Sequence, residues 1–168
     1  SVVAEKPIQI LHFSTSEQGP MLLQPRNLIV AEENAQVQIF ERHQSLVPHQ
    51  VLTNAVTEIF AAENAIVDYY KVQNDLDEAS LIDNTYVAQK GKSHVSVHTF
   101  SFGGQLIRNN LNFYQKGEYI DSTMKGITII GDRQHVDHYT LVDHAQPNCE
   151  SHQDYKGIYA DKSVGVFN

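Results

Sequence analysis

The segment IVAEENAQVQIF at residues 29–40 returns as IFAAENAIVDYY at residues 59–70. Each copy runs from an apolar alternation through a polar turn into a second alternation, and the turn residues Asn34 and Asn64 lie 30 residues apart. Related text follows as YVAQKGKSHVSV (86–97), NFYQKGEYIDST (112–123) and IYADKSVGVF (158–167), with Gly91 and Gly117 at the turn position 26 residues apart. A repeat of this length cannot bury its apolar face alone; it does so by stacking on its neighbours, as in a solenoid. Asn and Gly both tolerate positive φ, which permits a tight reversal at each copy.

Within the copies the apolar residues alternate with polar ones, the two-residue period of a half-buried strand. Val37 and Ile39, Val67, Val95 and Val97, Leu111 and Phe113, and Val164 and Val166 are therefore expected to point inward and to stack in ladders. The best helical candidate, NDLDEASLIDNT at 74–85, does not sustain a 3.6-residue apolar stripe and reads as a loop or one helical turn. An all-β chain of this pattern is either a sandwich of hairpins or a right-handed parallel β-helix. Its 9 Gly and 5 Pro fall below the roughly 12% of average usage, whereas a sandwich with many tight reversals spends more. The repeats favour the β-helix, expected as one core domain over residues 1–168 and as a piece of a longer chain.

Composition removes several functions. The 168 residues carry 12 basic and 20 acidic side chains, a net charge of −8, and the few cations are scattered, which disfavours nucleic acid. No apolar run reaches the roughly 20 residues of a membrane span, so no membrane partner is expected, and with one cysteine and hence no disulfide framework the cytoplasm is the default location. The single cysteine, Cys149, cannot form an intrachain disulfide or a multi-cysteine metal site. Phosphate-loop, nucleophile-elbow, HExxH and dinucleotide motifs are missing, and no enzymatic activity is expected.

Chemistry-bearing residues concentrate in DRQHVDHYTLVDHAQPNCESHQD, residues 132–154. His135 and His138 have helical i, i+3 spacing, but on a strand an odd separation places them on opposite faces. His144, Cys149 and His152 flank the turn at Pro147 and Asn148, where three ligands for zinc or ferrous iron could meet with a coordination position left open. The same residues also read as ordinary surface histidines and a packed cysteine. His94, Ser96 and His98 share one strand face, with solvation as the default reading. Ser151, His144 and Asp143 compose a serine triad only on paper.

The stretch HAQPNCESHQDYKGIYADKSVGVFN from His144 onward resembles the core of the SufB/SufD family of iron–sulfur cluster assembly proteins, most closely its SufD branch. The resemblance rests on His144, Cys149, Ser151, Gln153, Lys156, Asp161 and the closing Val166, Phe167 and Asn168. Gln134 and Asp137 precede them, and Arg108, Asn109 and Asn110 resemble the family's R-x-N region. It implies a right-handed parallel β-helix and a non-enzymatic scaffold subunit that pairs with SufB and the ATPase SufC homologues. The assembly builds a nascent iron–sulfur cluster and passes it on, with SufD on the iron supply side. The cluster is held only transiently, so no cofactor is expected in this segment. The family's Cys-x-His motif does not occur here and is expected beyond Asn168, so no catalytic residue carries over. In isolation the chain is expected to homodimerise. The readings kept beside this one are a β-helix carbohydrate-active enzyme and a cupin-like metal-binding barrel, the latter requiring His94, His98 and His144 to converge.

Overall fold

The strand alternation extends along nearly the whole chain. The computed structural model describes residues 2–15 and 19–168, and no helix occurs among them. In chain order the strands are β1 (Ile8–Ser14), β2 (Met21–Leu23), β3 (Arg26–Ala31), β4 (Gln36–Ser45), β5 (Val51–Ala61), β6 (Ile66–Gln73) and β7 (Ala79–Gln89). They continue as β8 (His94–Ser101), β9 (Leu106–Gln115), β10 (Asp121–Ile130), β11 (His135–His144), β12 (Glu150–Tyr159) and β13 (Val164–Phe167). One sheet has the order β1-β4-β6-β8-β10-β12 and the other β13-β11-β9-β7-β5-β2, with β3 also on β5. All strand pairs are parallel. The fold is a parallel β-helix, and the sandwich of antiparallel hairpins is excluded. In the first coil Pro25, which has no N–H to donate, separates β2 from β3.

The repeats recognised in the sequence are coils in register: Ile29 pairs with Ile59, Val37 with Val67, Val67 with Val95, and Tyr69 with Val97. Ile39, Val67, Val95, Val97, Leu111 and Phe113 are buried and Val37 half-buried, all on the inner faces of the two sheets. Val164 and Val166 are the exception. Their register partners on β11 are the outward His135 and Asp137, so both valines point outward and Val164 is 47% exposed. Gly165 and Phe167 take the inward positions, Phe167 packing on the Tyr155 ring at 4.7 Å. The alternation was visible, but its phase is fixed only by the neighbouring coil. Residues 74–85 hold no helical turn: 74–78 form a corner and the remainder opens β7. IYADKSVGVF also repeats a different element from the other copies, the corner from the first sheet into the second rather than the return.

Asn34 and Asn64 adopt left-handed φ of 59° and 58°, as the turn chemistry requires. In the later coils, however, Lys92 and Tyr119, and not Gly91 and Gly117, hold the positive φ. The corners stack through Asn34 N–H to Glu63 O, Asn64 N–H to Gly91 O and Lys92 N–H to Glu118 O, at 2.9–3.1 Å. This stacking explains the glycine at 117: a Cβ there would stand 2.3 Å from the Gly91 nitrogen. Gly117 is needed for close approach of two coils. Gly117→Ala is therefore expected to lower stability by about 1–3 kcal/mol through forced separation of the coils. Gly131→Ala, whose Cβ would meet only ordinary contacts of 3.5 and 3.8 Å, should be nearly neutral in denaturant unfolding.

Candidate functional site

The inner face changes character along each strand. In β4 the inward series Val37, Ile39, Glu41, His43 and Ser45 passes from apolar to ionisable; β6 repeats this as Val67, Tyr69, Lys71 and Gln73, and β8 as Val95, Val97, Thr99 and Ser101. The facing sheet contributes Thr57, Asp83, Thr85, Asn109 and His138. A polar spine thus runs along the solenoid axis, with an apolar cluster around Val67, Val97 and Phe113 on one side and Ile107, Ile130 and Val136 on the other. Such groups are tolerated in a low-dielectric interior only when paired. Lys71 forms an ion pair with Asp83 and donates to Thr85 Oγ1 at 2.9 Å. Gln73 and Asn109 exchange amide hydrogen bonds of 2.7 and 3.1 Å, and Ser101 donates to Gln73 Oε1 at 2.8 Å.

At the β1 end of the spine, Glu41 is 1% exposed and surrounded by donors. Tyr69 donates to its Oε2, while Asn27 Nδ2 and His12 Nε2 reach Oε1 at 2.8 and 2.9 Å. His43 Nε2 lies 3.5 Å from the same Oε1, buried and without a hydrogen-bond partner among the described residues, and the His12 and His43 rings stack at 4.4 Å. Burial pushes the Glu41 carboxyl up, but the hydrogen bond from His12 and the positive charges of His43 and Lys71 outweigh it and hold the group well below the usual carboxylate range. Burial likewise opposes protonation of His43, yet its direct contact with the Glu41 carboxylate and the negative charges of Glu41, Asp83 and Asp75 raise it above the ordinary histidine value. His12, Glu41 and His43 each offer a ligand atom within 4.8 Å of the others, and among the described residues no other group of three His, Cys, Asp or Glu does so. A cavity of about 390 Å³ lined by Ser14, Thr53 and Asp75 opens onto His12 and His43.

At the other end His138 is 5% exposed. Its Nδ1 accepts from Asn109 at 3.3 Å and its Nε2 donates to Thr128 at 3.0 Å, an arrangement of the neutral ring. Burial, assisted by the charge of Lys71, lowers its pKa to about 4. Gly126 leaves space for the Tyr155 ring, which packs on His138 at 5.2 Å.

The candidates marked in the sequence lie elsewhere. His144 ends β11, exposed, with Nε2 3.2 Å from Ser151 Oγ. Cys149 occupies the following corner, half-buried, its thiol pointing to Gly117 O at 3.2 Å. His152 is exposed on the outer face of β12, 3.5 Å from Glu150. These three side chains are not gathered into one ligand group. Asp143 makes no hydrogen bond to the His144 ring among the described residues, so no triad is assembled. His135 and His138 take opposite faces, as the odd spacing requires. His94 and His98 lie on the outside of β8, with His98 stacked on Tyr70 at 4.7 Å, and His144 belongs to the other sheet. The convergence demanded by a cupin-like barrel does not occur. Arg108 and Asn110 face outward on β9, where Arg108 pairs with Asp137 and Asn110 donates to Asn84 at 2.9 Å, while Asn109 enters the spine. Sequence reasoning missed Glu41, His43, Lys71 and Asp83. The inward phase of Val37 and Ile39, carried four residues further, would have placed Glu41 and His43 inside.

These observations define a parallel β-helix whose interior carries a continuous polar network. The model of the SUF system FeS cluster assembly SufBD core domain matches residues 12–168, and the chain belongs to that family, whose members take part in iron–sulfur cluster assembly. It is 30% identical over 172 residues to an iron–sulfur cluster assembly SufBD family protein of Synechocystis sp., covering 98% of this chain and 38% of that protein. It is 25% identical to the SufD proteins of Escherichia coli, with 97% and 39% covered, and of Bacillus subtilis, with 100% and 38% covered. The chain therefore spans less than half the length of these relatives. No helix among the described residues is long and apolar enough to cross a membrane.

Two outcomes follow for the network. Lys71→Met leaves Asp83 buried without its cation and should cost about 3–5 kcal/mol in denaturant unfolding. His138 binds fewer protons folded than unfolded between its depressed pKa of about 4 and the ordinary 6.5. Stability should accordingly fall as pH drops through that window, with about 3 kcal/mol assignable to this ring. His138→Gln, which cannot titrate, should remove that part of the pH dependence in chemical denaturation measured at pH 7 and pH 4.

Proposed function

We propose that this chain is the β-helix core of a non-enzymatic scaffold subunit of the SUF machinery, pairing with SufB and SufC homologues while a nascent cluster is built and transferred. The observation that carries this reading is the family match over residues 12–168 coinciding with a parallel solenoid. The fold supplies a means of pairing. β12 and β13 each have a strand neighbour on one side within their sheets, as do β1 and β2 at the opposite end. Such edges accept a further coil or a strand of a second chain.

The cluster is cargo in this reading. With one cysteine the chain cannot supply the usual four thiolates, and a stable cluster requires ligands from a partner. Co-expression with SufB and SufC homologues should yield a complex by affinity purification and native mass spectrometry. Anaerobic reconstitution should produce the visible absorption of a cluster in the complex and none that survives gel filtration on this chain alone. Recovery of all three proteins as separate species, or a stable cluster at one per isolated chain, would overturn the reading. The isolated chain is also expected to form a twofold dimer, which the net charge of −8 weakens without preventing because salt screens it over about 8 Å. Sedimentation over a range of concentrations should show the mass rising from one chain to two.

A further inference from the structure

We propose that His12, Glu41 and His43 form a binding site for a divalent first-row transition-metal ion inside the first coils of the solenoid. The inference stands on geometry and does not depend on the assembly role. Two imidazoles and one carboxylate make a nitrogen- and oxygen-rich donor set suited to ferrous iron, cobalt or zinc rather than to the harder magnesium or calcium.

The fold sets this trio deliberately close. Glu41 and His43 are successive inward residues of β4, and His12 is the direct register partner of His43 on β1. Glu41 Oε1 lies 2.9 Å from His12 Nε2 and 3.5 Å from His43 Nε2, so one oxygen stands between the two ring nitrogens. Outer contacts hold the carboxylate in place: Tyr69 donates to Oε2 and Asn27 to Oε1. Metal-binding carboxylates and imidazoles are characteristically oriented by such outer-shell hydrogen bonds.

His43 distinguishes the trio from a purely structural knot. Its ring is 2% exposed, yet among the described residues its Nε2 has no hydrogen-bond partner and only the Glu41 carboxylate 3.5 Å away as an ion-pair neighbour, a shortfall that a buried polar atom does not ordinarily tolerate. A metal ion coordinated there satisfies that atom. The adjoining cavity of about 390 Å³ gives access from solvent past His12, whose side chain is 22% exposed, and offers space for exogenous ligands at the remaining coordination positions. Asp75 also lines this cavity and adds negative charge near a bound cation.

Anaerobic titration of the chain with Co²⁺, followed by visible ligand-field absorption and equilibrium dialysis, tests the site. One Co²⁺ per chain is expected, displaced by Zn²⁺ and, because Fe²⁺ binds nitrogen and oxygen donors more weakly than Co²⁺, by Fe²⁺ only at large excess. His12→Gln, on the partly exposed terminal coil, should abolish the bands while circular dichroism remains that of the parent; Glu41→Gln should do the same. Tyr69→Phe, removing an outer contact, should weaken binding by about 10-fold or more. The triple variant His144→Ala, Cys149→Ser, His152→Ala should bind as the parent does. Absence of stoichiometric Co²⁺ binding, binding unchanged in folded His12→Gln, or loss of binding in the triple variant would each overturn the proposal. Because these readouts need neither partner proteins nor a cluster, they are separable from the test of the scaffold role.

Discussion

Parallel pairing between coils is the constraint on which the rest of this molecule depends. In a β-helix no strand bonds to its sequence neighbour; its backbone donors and acceptors are satisfied by the coils above and below, one turn away in the chain. Every inward side chain therefore sits over its register partner, and a change in the phase of one strand would reverse all of its side chains at once. The corners obey the same rule. Their backbone hydrogen bonds link Asn34 to Glu63, Asn64 to Gly91 and Lys92 to Glu118, so the turns form a ladder of their own. Close contact between corners, more than backbone conformation, explains the glycine at 117.

Stacking also governs the interior. Once Glu41 is fixed over Lys71 and His43 over Gln73, the polar groups of successive coils fall within reach of one another and of the facing sheet. Burying charge costs several kcal/mol for each ion unless partners are supplied, and paired buried charges seldom exceed a well-packed apolar core in stability. The Lys71–Asp83 pair and the donors around Glu41 supply those partners. An apolar series would fill the same space without these requirements. His138, buried as the neutral ring, and His43, held toward the cationic form by neighbouring carboxylates, show the same residue type driven in opposite directions inside one lumen.

Membership of the SufBD core family gives the solenoid its biological setting, and the chain accounts for under two fifths of the length of its Synechocystis and Bacillus relatives. The core supplies two parallel sheets stacked coil on coil around a polar interior. Its outer surface carries the Asn84–Asn110 hydrogen bond and the Phe40, Tyr70 and His98 stack, each built from residues of neighbouring coils. Surfaces of this kind arise in a solenoid because positions distant in sequence recur at one height on adjacent strands.

The sequence by itself determined the all-β class, the coil repeat and most of the inward ladder, because alternation and turn chemistry are local properties that survive in one dimension. It placed Val37, Ile39, Val95, Val97 and Phe113 inside, and assigned Asn34 and Asn64 to turns with positive φ. It could not fix the phase of β13, where two valines point outward because His135 and Asp137 on the adjacent coil set the register. Nor did it reveal the lumen site. His12 and Glu41 are 29 residues apart, and Tyr69 is a further 28 from Glu41. Only stacking in register brings them together, whereas the sequence cluster of His144, Cys149 and His152 is dispersed by a corner and by the alternation of β12. Proximity along the chain was a poor guide because, in a parallel solenoid, the nearest neighbours of a side chain belong to other coils.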